Sequence, residues 1–187
     1  MRYSPEYKSA ANAKLIEAGG ALAKKSGFSN TGMMAFANAA GVTTGAFYSQ
    51  FGSKADFLYA IVDHELSRTI EAFKGKTGKE LERTISWYLS PEHAAHPEHG
   101  CPIPSLGAEI GRADDATRKR FEELVGNLVS SIEAGTTDRA QAWALLAQSV
   151  GGMILARAVA SQEAQEEILG AIQAVGMKNL VNHEKTA

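Results

Sequence analysis

Apolar side chains recur three and four residues apart along almost the whole chain, and no stretch alternates with the period of two that a strand requires. The pattern predicts an all-α fold. Ala11, Leu15, Ala18 and Leu22 line one face of a first helix that Gly27 ends, and Lys24 and Lys25 in its last turn suit the negative end of the helix dipole. Two short helices follow, about 33–40 and 44–50, separated by Gly41. A long helix then begins at Ser53, with Phe57, Leu58, Ile61, Val62, Leu66, Ile70 and Phe73 as its apolar stripe. Ser53 is its expected N-cap and Asp56 completes the capping interaction. Gly75 and Gly78 interrupt, and residues 79–89 read as a helix carrying Trp87 and Tyr88. The segment SPEHAAHPEHGCPIP, residues 90–104, holds four of the five prolines and three of the five histidines and reads as a loop. Further helices are expected at 103–112, at 115–133 with Phe121, Leu124, Val125, Leu128, Val129 and Ile132 inward, at 138–160 and at 163–181. That makes about nine helices and no internal repeat.

With 187 residues the chain can hold one ordinary domain, or a small domain attached to a larger one. Hydrophobic residues at 44% and charged residues at 21% give a globular composition. No apolar run approaches the ~18 to 20 residues of a membrane span. Residues 1–20 lack a charged start followed by an apolar core, so no secretory leader is expected and the cytoplasm is the default location. The single cysteine, Cys101, rules out an internal disulfide framework and suits a reducing compartment. The net charge of −2 is unevenly spread. Residues 1–55 hold six basic and two acidic side chains (+4), the remaining 132 residues thirteen and nineteen (−6). A basic N-terminal end on an acidic body suggests an anion-binding module there.

The stretch AGVTTGAFYSQFGSK, residues 40–54, gives that module a shape. Two short helices around a glycine turn need a third element behind them, which the first helix and the start of the long one supply. In a helix-turn-helix the second short helix enters the major groove while the first crosses the backbone. Ala37 is small where the two must approach, Gly41 can take the left-handed conformation, and Val42 drops an apolar side chain into the miniature core. Thr43 can cap the second helix, and the N–H groups after it suit a phosphate. Gly45 has no side chain to hold the helix away from DNA. Phe47 and Phe51, four apart, face inward, which leaves Thr44, Tyr48, Ser49 and Gln50 outward. Lys54 is badly placed for the helix dipole and makes more sense beside a phosphate.

Through these residues the sequence resembles the TetR family of transcriptional regulators. The family pattern appears as Gly27-Phe28, then Phe36-Ala37-Asn38-Ala39-Ala40-Gly41-Val42, then Thr43 through Lys54 with Gly45, Tyr48, Phe51 and Lys54 in register. The likeness covers about residues 10–60. It implies a homodimer with a DNA-reading head, residues 1–52, and a helical body, residues 53–187, that binds a small molecule and pairs with its twin through the last two long helices. It further implies that Tyr48 and Lys54 grip phosphates with Thr43 assisting, and that Thr44, Gly45, Ser49 and Gln50 approach base edges of a double-stranded, pseudo-palindromic operator. A glutamine at position 50 suits adenine. Gly32 departs from the pattern, standing where members carry a Ser or Thr cap, and Met33 and Met34 cannot replace that hydroxyl.

Tyr88-Leu89-Ser90, Gly100-Cys101-Pro102 and Leu155-Ala156-Arg157-Ala158-Val159 resemble one branch of the same family. Cys101 precedes a predicted helix beside histidines and is a candidate redox or electrophile sensor, or else a buried small hydrophobe. His93, His96 and His99 with Cys101 are metal-ligand types at irregular spacing, and no metal or cofactor is assigned. Trp87, Tyr88, Cys101, Phe121, Trp143 and Met153 are candidates for an effector cavity or for core. Leu145, Leu146, Val150, Gly151, Gly152 and Ile154, with Ile168, Leu169, Ile172 and Val175, make a helix pair too apolar to stand alone. No nucleophile elbow, phosphate loop or zinc-protease motif is present, so an enzyme is not expected. A ligand-released repressor is the expected function.

Overall fold

The computed structural model describes the backbone of residues 5–178 and 180, and side chains from residue 12 onward within that range. Arg2 and Val181, and the side chains of Glu6, Lys8 and Ala11, lie outside the described residues. Among these residues the chain forms ten α-helices, a single turn of 3-10 helix, and one isolated bridge pair between Thr136 and Leu180.

Helix α1 (Pro5–Ser26) ends at Gly27, whose φ of 81° is open to glycine at little cost. Helices α2 (Met33–Ala39) and α3 (Thr44–Gln50) are the two short pieces, and α4 (Lys54–Phe73) is the long one. Ser53 caps α4 as its sequence position implies: its hydroxyl accepts from the Asp56 N–H and donates to the Asp56 carboxylate. After Gly75 and Gly78, both at positive φ, comes α5 (Gly78–Tyr88).

The expected loop at 90–104 is a correction. Ser90 accepts from the His93 N–H and Pro91 occupies the first turn, so α6 (Pro91–Ala95) forms, followed by the 3-10 turn Pro97–His99. Proline ends helices from inside but starts them well, because the N–H it lacks has no acceptor in the first turn. Helix α7 (Ile103–Ile110) follows, then α8 (Asp115–Glu133), α9 (Arg139–Ala158) and α10 (Gln162–Lys178). Asp114 and Asp138 cap α8 and α9 through the Thr117 and Gln141 N–H groups.

Two hydrophobic clusters hold these elements. The first joins α1, α2 and α3 to the N-terminal half of α4 and to Leu106 and Ile110 of α7. The second packs α5 and α8 against α9 and α10, with Phe73 at the end of α4. Helix α4 therefore runs from one core into the other. Ile70 of α4 and Ile103 of α7 pack against both.

Candidate nucleic-acid interface

The turn between α2 and α3 is set by backbone geometry. Gly41 sits at φ 69°, its N–H reaches the Asn38 carbonyl at 3.0 Å, and the Val42 N–H reaches the Ala37 carbonyl at 2.9 Å. Ala37 is fully buried there, so the two helices close on a side chain that occupies little room. Thr43 caps α3, accepting from the Ala46 N–H at 3.1 Å.

Helix α3 is anchored through its inner face by Phe47, which packs 4.7 Å, centroid to centroid, from Phe57 of α4. Phe51, at the end of the helix, lies 4.8 Å from the same ring, and Phe28 and Phe36 extend the aromatic cluster. Tyr48, Ser49 and Gln50 are exposed and Thr44 is half-buried. The Tyr48 ring stands edge-on to Phe47 with 51% of its surface open. The Ser49 hydroxyl donates to the Ala46 carbonyl. Gly45 is exposed, keeps a negative φ, and a methyl added to it would meet nothing closer than Thr43 Oγ1 at 4.0 Å. Among the described residues nothing calls for glycine there, although it costs the helix about 1 kcal/mol relative to alanine.

Lys54 has partners inside the chain. Its ammonium donates to the Ser29 and Thr31 carbonyls at 3.2 and 2.8 Å and lies 5.0 Å from the centre of the Phe28 ring. A lysine at the positive end of α4 is thus explained in part by the turn between α1 and α2 that it holds. Gly32 begins α2 without any side-chain cap.

Residues 15–61 match the profile of the bacterial regulatory proteins of the tetR family. A curated relative, the HTH-type transcriptional regulator in the lacX 3' region of Lactococcus lactis subsp. lactis, is 24% identical over 127 residues, covering 64% of this chain. The matched segment spans 64% of that relative's length, just under two thirds. Residues 15–61 thus form a region like the tetR-family DNA-binding region. Solved structures share its fold over nearly its whole length. E. coli NemR in its reduced form superposes with a TM-score of 0.71 at 18% identity, covering 91% of this chain and 97% of its own. A TetR-family regulator from Agrobacterium tumefaciens does so with a TM-score of 0.74 at 15% identity, covering 93% and 100%.

The helices beyond residue 61 contribute to a cleft of about 200 Å³ between α4, α5 and the segment before α7. Trp87, Tyr88 and Cys101 meet there, joined by Glu65, Arg68, Thr69 and Thr84, which the sequence did not single out. A smaller, apolar space continues inward past Tyr88 and Cys101 to Leu128, Leu145 and Ser149. The other three aromatic and sulfur candidates lie elsewhere. Phe121 packs against the head's cluster, Met153 is fully buried in the body core, and Trp143 faces outward with 42% of its surface open. Their helical spacing revealed a face but not which neighbour covers it.

Burial dominates the chemistry of the cleft. It pushes the Cys101 thiol up against the opposing pull of hydrogen bonds to Ile103, Thr69 and Tyr88. The Tyr88 phenol is raised well above its ordinary value for the same reason, with Cys101 adding to the effect. His93 is buried and lowered by desolvation, which the hydrogen bond from its Nδ1 to the Tyr88 carbonyl at 2.6 Å partly offsets. Its ring stacks on Trp87, while His96 and His99 stay exposed. Among the described residues no three His, Cys, Asp or Glu side chains gather as a metal site.

Beside the cleft lies a buried ion pair that corrects one expectation. Lys24 does not serve the end of α1 from the surface: its side chain is inaccessible and donates to Glu65 at 2.7 Å and to the Gly100 carbonyl at 3.0 Å. Glu65 was the available signal, a carboxylate four residues after Ile61 on the inward stripe of α4.

Proposed function

We propose that the protein is a homodimeric repressor that binds a pseudo-palindromic operator in double-stranded DNA and is released by a small molecule taken up in the body. Residues 1–52 act as the reading head and residues 53–187 as the effector-binding and dimerisation body. The observation that carries this reading is the outer face of α3. Three side chains in succession, Tyr48, Ser49 and Gln50, are exposed, while Phe47 alone is fully buried within the helix. Gly45 is the second support, since its missing side chain serves no contact among the described residues and would let a groove floor approach.

In this reading Tyr48 meets a phosphate with Thr43 assisting, and Gln50 presents its amide to adenine N6 and N7. Thr44, Gly45 and Ser49 lie along the same groove. Lys54 has three N–H donors and spends two on carbonyls, which leaves one for a phosphate. Dimerisation is supported by Trp143, Ile154, Leu155 and Val175, exposed on α9 and α10. Gly152 is required inside the chain, because a methyl there would come within 2.8 Å of Ile172 Cγ1. Gly151 and Gly170 have open space beside them and allow a second copy's helices to approach closely.

An effector in the cleft lined by Trp87, Tyr88 and Cys101 would favour a body conformation that moves the two heads off the spacing of about 34 to 36 Å between successive major grooves. The alternative, redox sensing through Cys101, has less support. The thiolate is the reactive species, and burial disfavours it here. The deciding experiment is a fluorescence-anisotropy titration against the DNA upstream of the protein's own gene, at two salt concentrations, with random duplex as control. We expect upstream DNA to bind more tightly than random DNA by a factor on the order of 10³ or more, and both to weaken steeply with salt. Equally weak binding to the two duplexes would overturn the reading.

A further inference from the structure

The two ends of α7 touch different parts of the molecule. Gly100 and Cys101, immediately before it, line the cleft. Ile103 in its first turn packs against both hydrophobic clusters, and Leu106 and Ile110 are buried in the head's cluster. In its last turn, Glu109 accepts three hydrogen bonds from the turn between α1 and α2. They come from the Phe28 N–H at 2.9 Å, the Ser29 N–H at 2.6 Å and the Ser29 hydroxyl at 2.6 Å. The carbonyls of that same turn, at Ser29 and Thr31, are the ones Lys54 holds. The turn is thus gripped through its N–H groups by α7 and through its carbonyls by the first residue of α4. At the cleft end, the Gly100 carbonyl is tied to α1 by Lys24.

Eight helical residues span about 12 Å and do not compress, because each turn is closed by its own hydrogen bonds. A shift imposed where Cys101 lines the cleft therefore travels along α7 to Glu109 as a rigid displacement. We infer that α7 is a strut between the effector cleft and the reading head, and that Glu109 is the positioning residue through which it acts. Glu109 sets the orientation of the turn between α1 and α2, and with it α2, without touching DNA. The geometry calls for a carboxylate, since three donors converge on its two oxygens, and an amide offers only one acceptor oxygen. The inference rests on the effector-responsive reading given above.

The test uses a substitution that fills the cleft in place of an unidentified effector. Cys101→Met adds volume where the thiol already lines the space, and its effect on binding to the upstream duplex is measured in the native background and in Glu109→Gln. Circular dichroism and light scattering establish that each protein is folded and in the same oligomeric state. Should Cys101→Met fail to fold, Thr84→Leu enters the same cleft from α5 and takes its place. We expect the filled cleft to weaken DNA binding at least about fivefold in the native background, the lower end of ordinary coupling between sites. In the Glu109→Gln background the loss should shrink to less than about twofold, within the error of additivity. The same fold loss in both backgrounds would overturn the strut while leaving the effector-responsive reading intact. No loss in the native background from either cleft substitution would overturn both.

Discussion

The head and the body satisfy their buried polar groups differently. In the head and at the start of α4, Thr31 donates to the Gly27 carbonyl, Thr43 and Ser53 cap their helices, and the turn between α1 and α2 is held on both its N–H and its carbonyl side. Five phenylalanines, Phe28, Phe36, Phe47, Phe51 and Phe57, fill the space between. In and around the body cleft, Glu65 Oε1 and His93 Nε2 are buried without a hydrogen-bond partner among the described residues. Large apolar side chains also stand exposed on its outer helices. The head leaves Asn12 Oδ1 buried without a partner among the described residues and exposes Met34 and Tyr48, while its interior is closed around the five aromatic rings. The body has the features of a part that is completed by something else, since unpartnered buried polar atoms and open apolar faces both cost free energy until they are covered.

The sharpest way to break this comparison is to remove the ion pair that lies between the two regions. Lys24→Met leaves the buried Glu65 carboxylate with only the half-exposed Arg68 guanidinium 3.7 Å away, and breaking a buried pair costs up to about 3 to 5 kcal/mol. Urea unfolding followed by circular dichroism should show the loss as a lower midpoint. A midpoint close to the native one would mean that the pair is poorly desolvated and that the regions are joined by apolar contact alone. Burial holds Lys24 below its ordinary pKa despite Glu65, so the pair is already costly to form and its partner cannot be left alone.

A smaller effect is expected on the head's outer face. Gln50→Ala should cost about 1 to 3 kcal/mol against the preferred operator and relax the preference at one base position. Tyr48→Ala should weaken operator and random duplex alike. Competition binding with base-substituted duplexes separates the two. Equal losses on operator and random DNA for the Gln50 variant would sink its base-reading role.

The smallest expected change is a gain. Gly32 begins α2 at φ −76° and ψ 154°, a conformation serine adopts freely, and a methyl added there meets nothing within 4 Å. Gly32→Ser should supply the missing cap, raising stability by only a few tenths of a kcal/mol. It should also tighten DNA binding if the hydroxyl reaches a phosphate. Thermal unfolding and the same anisotropy titration read the two effects separately.

Sequence and structure divide this molecule along physical lines. Most helix limits, the caps at Thr43 and Ser53, the left-handed turn at Gly41 and the inward pair Phe47 and Phe51 were legible in the chain, because each depends on residues within one or two turns of one another. The short helix at 91–95 was missed because the prolines around it signal both an interruption and a start. What the chain could not reveal were encounters between residues far apart in it: Lys24 with Glu65 and Gly100, Glu109 with Phe28 and Ser29, Lys54 with Thr31. Trp87, Tyr88 and Cys101 meet in one cleft while Phe121, Trp143 and Met153 do not, although all six carried the same signal. Local periodicity states which face of a helix turns inward. Only packing in three dimensions decides what that face meets.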